Sequence, residues 1–279
     1  MLSYRHSFHA GNFADVLKHC VLINVLQHMC KKDKAFSYID THSGAGLYSL
    51  SSEQAEKRQE YKQGIAKLYE LDWPELSAYL NAIQSVNPDG KLSFYPGSPL
   101  IATQFIRQQD QAWCYELHPE DAQLLSENTQ KQFQTRVMHQ DGLQGLLSLL
   151  PPESRRAAVL IDPSYEMKSD YDLVVETVIK AHKKFATGTY MIWYPVVDRS
   201  RINRLQKKFK NSGIKHIQTF ELGLSADTAE RGMTSSGMIV INPPWQLMDT
   251  MSSLLPQIVK VLGESKEAFY RAEVLVEQQ

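Results

Sequence analysis

The string Asp162-Pro163-Ser164-Tyr165 carries the strongest chemistry in the chain. A carboxylate next to a proline carbonyl gives two hydrogen-bond acceptors held close together by a rigid residue. An exocyclic amine on an adenine-like ring is a poor nucleophile because its lone pair is delocalised. Two acceptors on its hydrogens return density to the nitrogen and orient it for in-line attack on an electrophilic methyl group. Asp162 supplies the carboxylate, Pro163 the carbonyl, and Tyr165 a flat face on which a base can stack, worth roughly 1–3 kcal/mol. Asn242-Pro243-Pro244-Trp245 fits the same pattern. It follows the last strand expected, away from the point where open α/β sheets bind ligands, so packing or support of a loop is its expected role.

Three further acids stand where strands should end. Asp40 opens Asp40-Thr41-His42-Ser43-Gly44-Ala45-Gly46, Glu116 closes a second apolar run, and Asp141-Gly142 follows a third. Glycines let backbone approach a ligand, and Gly44 is placed for that. A carboxylate after the second strand of a nucleoside-binding fold suits a ribose diol, which points to Glu116. Glu60 is nearer the usual offset from the glycines but falls in a helical stretch, away from a strand end. Asp141 could accept from an adenine amine. Each acid alone could instead be a helix cap. Three of them at consecutive strand ends describe one edge of a sheet.

The elements that must position these residues read as alternating α/β. Strands are predicted at Ala35–Asp40, Ala112–Leu117, Thr135–His139, Ala157–Asp162, Gly188–Tyr194, Lys215–Glu221 and Gly237–Asn242. No helix fits between the last two, so the final strand is predicted antiparallel. That is the seven-stranded, Rossmann-like sheet of class I methyltransferases. A buried helix is predicted from Phe13 to about Cys30, and one from Pro99 to Arg107. Residues 51–95 break the rhythm as two amphipathic helices split near Trp73-Pro74, a helical insertion within a single domain spanning 1–279. The helix after the fifth strand carries Arg201, Arg204, Lys207 and Lys208, which could lie along phosphates or form an ordinary solvated face.

Composition bounds the rest. The chain has 279 residues and a formal net charge of −1, so a nucleic acid would need a local basic patch. Three cysteines without a close pair suggest reduced thiols in a cytoplasmic protein, and the N-terminus lacks a signal-peptide core. His6, His9 and His19 are too loosely spaced for a zinc site, and no metal is expected. A nicotinamide oxidoreductase would need a longer glycine fingerprint.

The sequence resembles the bacterial 23S ribosomal RNA adenine-N6 methyltransferase family, the RlmJ type, over nearly its whole length. The resemblance rests on Leu2 to Asn12, Asp15-Val16-Leu17-Lys18-His19, Asp40-Thr41-His42, Tyr95 to Ala102, Glu116-Leu117-His118-Pro119, and Arg231 to Trp245. It implies an S-adenosylmethionine-dependent enzyme acting on free or partly assembled 23S ribosomal RNA. It implies that Lys18, His19, Asp40, His42, Ser98, Glu116 and Asp141-Gly142 serve the cofactor, that Asp162 is catalytic, that Tyr4 acts at the substrate pocket, and that the insertion helps hold RNA. The family usually has proline where this chain has Ser164; the Pro163 carbonyl is retained. A DNA adenine methyltransferase is the alternative, although no DNA-reading module is evident. A non-catalytic RNA-binding protein would be expected to have lost Asp162. A monomer is expected.

Overall fold

A computed structural model of the chain describes residues 5–227 and 232–278. Helix α1 (Phe13–Cys30) is apolar on every side, as the sequence predicts, and is buried almost throughout, which is how a helix at the centre of an α/β domain must look. Asn12 caps it by accepting from the Asp15 amide. Strand β1 (Ser37–Asp40) follows, then β2 (Leu47–Ser49).

The segment that breaks the rhythm contains a short α2 (Glu53–Arg58), three 3-10 turns and α3 (Ser77–Gln84). The first amphipathic helix predicted there is thus mostly irregular. Gln59 ends α2 in the left-handed region at φ 54°, and Gly64 sits with its Cα against the backbone of Gly11 and Asn12, where a Cβ would lie 2.2 Å from the Gly11 carbonyl. The segment is closed by β3 (Phe94–Pro96), which pairs antiparallel with β2, a ladder the sequence reading missed. Ile65, Leu68, Trp73, Leu76, Tyr79 and Ile83 join the same apolar cluster as α1.

The remaining elements alternate: α4 (Ser98–Thr103), β4 (Gln111–Tyr115), α5 (Pro119–Thr129), β5 (Thr135–Met138), α6 (Gly142–Leu149), β6 (Ala157–Ile161), α7 (Asp170–Lys184), β7 (Thr189–Val196), α8 (Arg199–Lys210), β8 (Ile217–Gly223), β9 (Ser235–Ile241), α9 (Leu247–Leu262) and β10 (Phe269–Val276). Among the described residues the main sheet has eight strands, in the order β10-β8-β9-β7-β6-β1-β4-β5. Strands β7, β6, β1, β4 and β5 are parallel neighbours, and β9 runs antiparallel to both β7 and β8. The antiparallel β9 is as predicted; the count of seven is corrected to eight by β10, which pairs antiparallel with β8 at the sheet edge.

This topology places the two candidate motifs at opposite edges of the sheet. Asp162 follows β6 at the carboxyl edge of the parallel strands. Asn242 follows the antiparallel β9, whose last residue Ile241 pairs with Tyr190 at the start of β7. By register the two are about 13 Å apart along the strand direction. The Asn242 side-chain amide donates to the carbonyls of Ala186 (2.7 Å) and Gly188 (2.8 Å). The packing role expected of this segment matches that placement. No helix among the described residues is long and apolar enough to cross a membrane.

Candidate active site

The carboxyl ends of β1, β4, β5 and β6, with the N-terminal part of α1, surround a cavity of about 880 Å³. Thr41, His42, Ser43 and Gly44 line it after β1; Glu116 after β4; Asp141 and Gly142 after β5; and Asp162, Pro163, Ser164 and Tyr165 after β6. The parallel pairing brings these loops together, because each strand delivers its next residues to one edge.

The catalytic-type carboxylate is not alone. The Lys18 ammonium donates to Asp162 Oδ2 at 2.5 Å and to Asp15 Oδ1 at 2.9 Å. Asp15 is 1% exposed and also accepts from the Gly11 amide at 2.8 Å, while His6 Nε2 lies 2.9 Å from its Oδ2. Burial would raise the Asp15 pKa, but the charges of His6 and Lys18 outweigh it and hold the carboxyl well below its usual range. Burial would likewise lower the Lys18 pKa; Asp15 and Asp162 reverse this and keep the ammonium charged beyond the ordinary lysine range. Asp15 is thus shared between His6 and Lys18, and Lys18 links it to Asp162 at the cavity. Sequence reading placed Lys18 at the site but missed Asp15. The available signal was a charged pair at i,i+3 inside an otherwise apolar helix, a pattern that requires buried partners.

Tyr165 adopts φ 51°, the left-handed region, which a bulky side chain occupies only when its surroundings enforce it. Its hydroxyl donates to the Trp193 carbonyl at 2.7 Å, and its ring packs 4.3 Å from that of Tyr171. These contacts hold Tyr165 in the turn that follows Pro163, and both residues line the cavity. Trp193, in β7, lines it too.

Glu116 accepts the amides of Gly44 (2.8 Å) and His118 (2.7 Å). Burial raises its pKa against these two bonds. Its rival Glu60 points elsewhere, accepting from Asn12 at 3.0 Å with His9 Nδ1 at 2.9 Å. Asp141 performs the cap role open to it, accepting from Gln144 N at 3.0 Å, and lines the cavity as well. Gly142 is required by contact: a Cβ there would stand 1.9 Å from the Thr41 carbonyl. His19 lines the cavity, with Nδ1 2.7 Å from the Tyr95 hydroxyl and Nε2 buried without a partner among the described residues. Burial lowers its pKa to about 3, so the ring is neutral.

Two expected contacts are placed differently. Asp40 is wholly buried behind the wall, accepting from the Tyr38 and Ser98 hydroxyls, both at 2.7 Å, and weakly from the His42 amide. It shapes the loop that lines the cavity, while Ser98 reaches the lining itself. Arg201 is in the cavity wall, paired with Asp198 at 3.2 Å, but Arg204, Lys207 and Lys208 continue along α8 away from it, and Lys208 binds Asp172. Tyr4 and Arg231 lie outside the described residues.

Burial raises the Asp40 pKa to about 6, opposed by Ser98 and Tyr38. The fold therefore binds this proton more tightly than the unfolded chain does, and stability must fall as pH rises from about 4 to about 6. The cost is on the order of 3 kcal/mol. Urea unfolding of the ligand-free protein across that window is expected to show Asp40→Asn gaining on the parent chain as pH rises; a constant difference would contradict this.

Comparison with known proteins finds relatives over nearly the whole chain. The family model described as "Ribosomal RNA large subunit methyltransferase D, RlmJ" matches residues 33–276. Ribosomal RNA large subunit methyltransferase J of Escherichia coli is 51% identical over 258 residues, covering 92% of each chain. Its Haemophilus influenzae namesake is 50% identical over 265 residues, covering 94% of each. A crystal structure from Legionella pneumophila superposes with a TM-score of 0.89 at 35% identity, covering 95% of this chain and 98% of that one.

Proposed function

Because the chain belongs to this family of large-subunit ribosomal RNA methyltransferases, we propose that it methylates N6 of one adenine in 23S ribosomal RNA, as a cytoplasmic monomer. The cofactor is S-adenosylmethionine, which when bound supplies an activated methyl group on a sulfonium. The residues present fit it: Glu116 is a half-buried carboxylate at the cavity suited to a ribose diol, and His19, which lines the same cavity, has a buried Nε2 without a partner among the described residues. His42, Gly44, Ser98, Asp141 and Lys18 complete that wall.

The observation that carries the reading is the placement of Asp162 and Pro163. With Lys18 occupying Asp162 Oδ2, Oδ1 and the Pro163 carbonyl are the acceptors left for the two hydrogens of an amino group. Both bonds raise electron density on that nitrogen. The Lys18 contact holds the carboxylate in one rotamer, and Tyr165 holds the turn. The methylated nitrogen would carry a positive charge, which the Asp162 carboxylate stabilises while accepting one N–H, until the surplus proton passes to water. The base must be unstacked to enter, which a single-stranded or bulged RNA permits at lower cost than a DNA duplex. Arg201 in the wall, and Arg204, Lys207 and Lys208 beyond it, would meet the flanking phosphates, and Tyr4 the base; the helical segment 51–95 would extend the RNA contact.

The test is transfer of labelled methyl from S-adenosylmethionine to 23S RNA, 16S RNA and DNA side by side, followed by nucleoside analysis. Label is expected in 23S RNA as N6-methyladenosine. Label confined to DNA or 16S RNA, or on another base, would contradict the proposal. The comparisons give the DNA alternative no support. Within the same assay, Glu116→Gln is expected to raise the KM for S-adenosylmethionine at least about tenfold, since a charged acceptor is worth roughly 1.5–3 kcal/mol, with kcat at saturation within about twofold. An unchanged KM would remove Glu116 from the cofactor site.

A further inference from the structure

We propose that the amino edge of the sheet, opposite the cavity, is a second RNA-binding surface; the proposal rests on the RNA methyltransferase reading above. The loops that enter the parallel strands at this edge carry Lys31, Lys32, Lys34, Lys131 and Arg155, and the last turn of α7 adds Lys183, all exposed. Exposed acids at the same edge are Asp33 and Glu153 in the loops and Asp249 in the first turn of α9. Two arginines brace the lysine-bearing loop before β1: Arg107 donates to the carbonyls of Lys32 (3.0 Å) and Lys34 (3.1 Å), and Arg156 to those of Met29 (2.9 Å) and Lys34. The lysine side chains are thus presented from a fixed backbone.

Two aromatic rings stand on the same edge. Phe133, just before β5, is 92% exposed, and Trp245, past the end of β9, is 71% exposed, the highest values among the large hydrophobics of the described residues. The Lys31 ammonium sits 5.9 Å from the Trp245 ring and donates to Gln246. Five strand spacings separate the two ends, about 24 Å, with the cationic loops between them. Lysines in the last turn of a helix complement its dipole, which accounts for Lys183. It accounts neither for Lys32 and Lys34, which lie past the end of α1, nor for two bare rings. Stacking rings interleaved with cations are the chemistry that holds single-stranded nucleic acid. Protein interfaces, by contrast, are depleted of lysine.

The rim of the cavity supplies this field only in part. Arg5 is bound to Glu120 and Asp121, Arg201 to Asp198 and Lys208 to Asp172, and Glu116 and Asp141 add negative charge, which leaves Arg204 and Lys207 on α8 as the main cations near it. A chain of net charge −1 that must hold a long polyanion gains from cations gathered at a second place. An RNA engaging both edges would pass the length of the strands, about 17 Å for β6. That suits a large folded ribosomal RNA and not an isolated nucleotide.

The test uses full-length 23S RNA transcript, with binding measured from 50 to 300 mM salt for the parent chain, for Lys31→Ala/Lys32→Ala/Lys34→Ala and for Trp245→Ala. The triple variant is expected to weaken binding about tenfold at 0.1 M salt and to lower the salt slope by about 2, since each phosphate contact contributes about 0.7–0.9. Trp245→Ala is expected to weaken binding at least about fivefold with the slope unchanged, because stacking releases no ions. In methyl transfer both variants should raise the KM for RNA and keep kcat at saturation. Unchanged affinity and slope in both variants, or a loss of kcat without a loss of affinity, would overturn the proposal. If the parent chain itself leaves 23S RNA unlabelled, the methyltransferase reading fails instead, a separate and recognisable result.

Discussion

Asp162→Ala is expected to lower kcat for methyl transfer by about 10²–10³-fold while changing affinity for S-adenosylmethionine by no more than a few fold. The magnitude follows from removing a preorganised charged acceptor in a water-poor site, where one such group contributes on the order of 10²–10³. The loss also frees Lys18 from one partner, so the nitrogen would face an ammonium with no carboxylate behind it. The fold should persist, because Lys18 retains Asp15 at 2.9 Å. Single-turnover transfer to 23S RNA and calorimetric cofactor binding measure the two halves. Asn242→Ala is the control: its amide only ties β9 to the Ala186 and Gly188 carbonyls at the far edge, so kcat should stay within about twofold. A dead Asn242→Ala beside an active Asp162→Ala would transfer the chemistry to the wrong edge of the sheet and end this account.

Lys18→Met is expected to remove activity and to destabilise the fold by about 3–5 kcal/mol, the usual consequence of breaking a buried pair and leaving its partner charged. The partner is Asp15, 1% exposed, whose carboxyl burial would otherwise push upward. In the parent chain Asp15 titrates below its unfolded value, so its contribution is fully present above about pH 4 and is lost as pH falls below that. In Lys18→Met one of the two compensating cations is gone and only His6 remains beside the buried carboxylate, which becomes a liability wherever it ionises. The deficit should therefore be larger at pH 7.5 than at pH 4.5. Asp15→Asn/Lys18→Met removes the orphaned charge and is expected to recover much of the stability but none of the activity. Urea unfolding at both pH values, with transfer assays on the same samples, separates the roles. A double variant no more stable than the single one would mean that Asp15 is not the buried cost.

What the sequence showed and what it concealed divide along physical lines. Periodicity located α1, and the basic run marked α8, because long buried or amphipathic helices repeat one signal many times. The carboxyl-edge acids were legible because parallel topology turns strand ends into neighbours. Strand β10 was not: both of its faces mix exposed and partly covered residues, so Phe269–Val276 has neither strict alternation nor a continuous apolar run. The β2–β3 ladder was hidden because its three-residue strands are separated by the whole segment 50–93. The Lys18–Asp162 pair spans 144 residues, and no local pattern announces a contact at that range. Asp40 was read as a cofactor contact from its strand-end position alone. Its depth behind Ser98 depends on how α4 packs against β1, which spacing does not encode.

The central claim is geometric, and a structure with S-adenosylhomocysteine and an adenosine nucleotide bound together tests it most directly. The adenine N6 is expected within about 2.6–3.2 Å of both an Asp162 carboxylate oxygen and the Pro163 carbonyl, with the cofactor sulfur on the side away from those acceptors and its ribose against Glu116. An adenine seated with its N6 out of reach of Asp162, or a cofactor bound anywhere but the carboxyl-edge cavity, would contradict it.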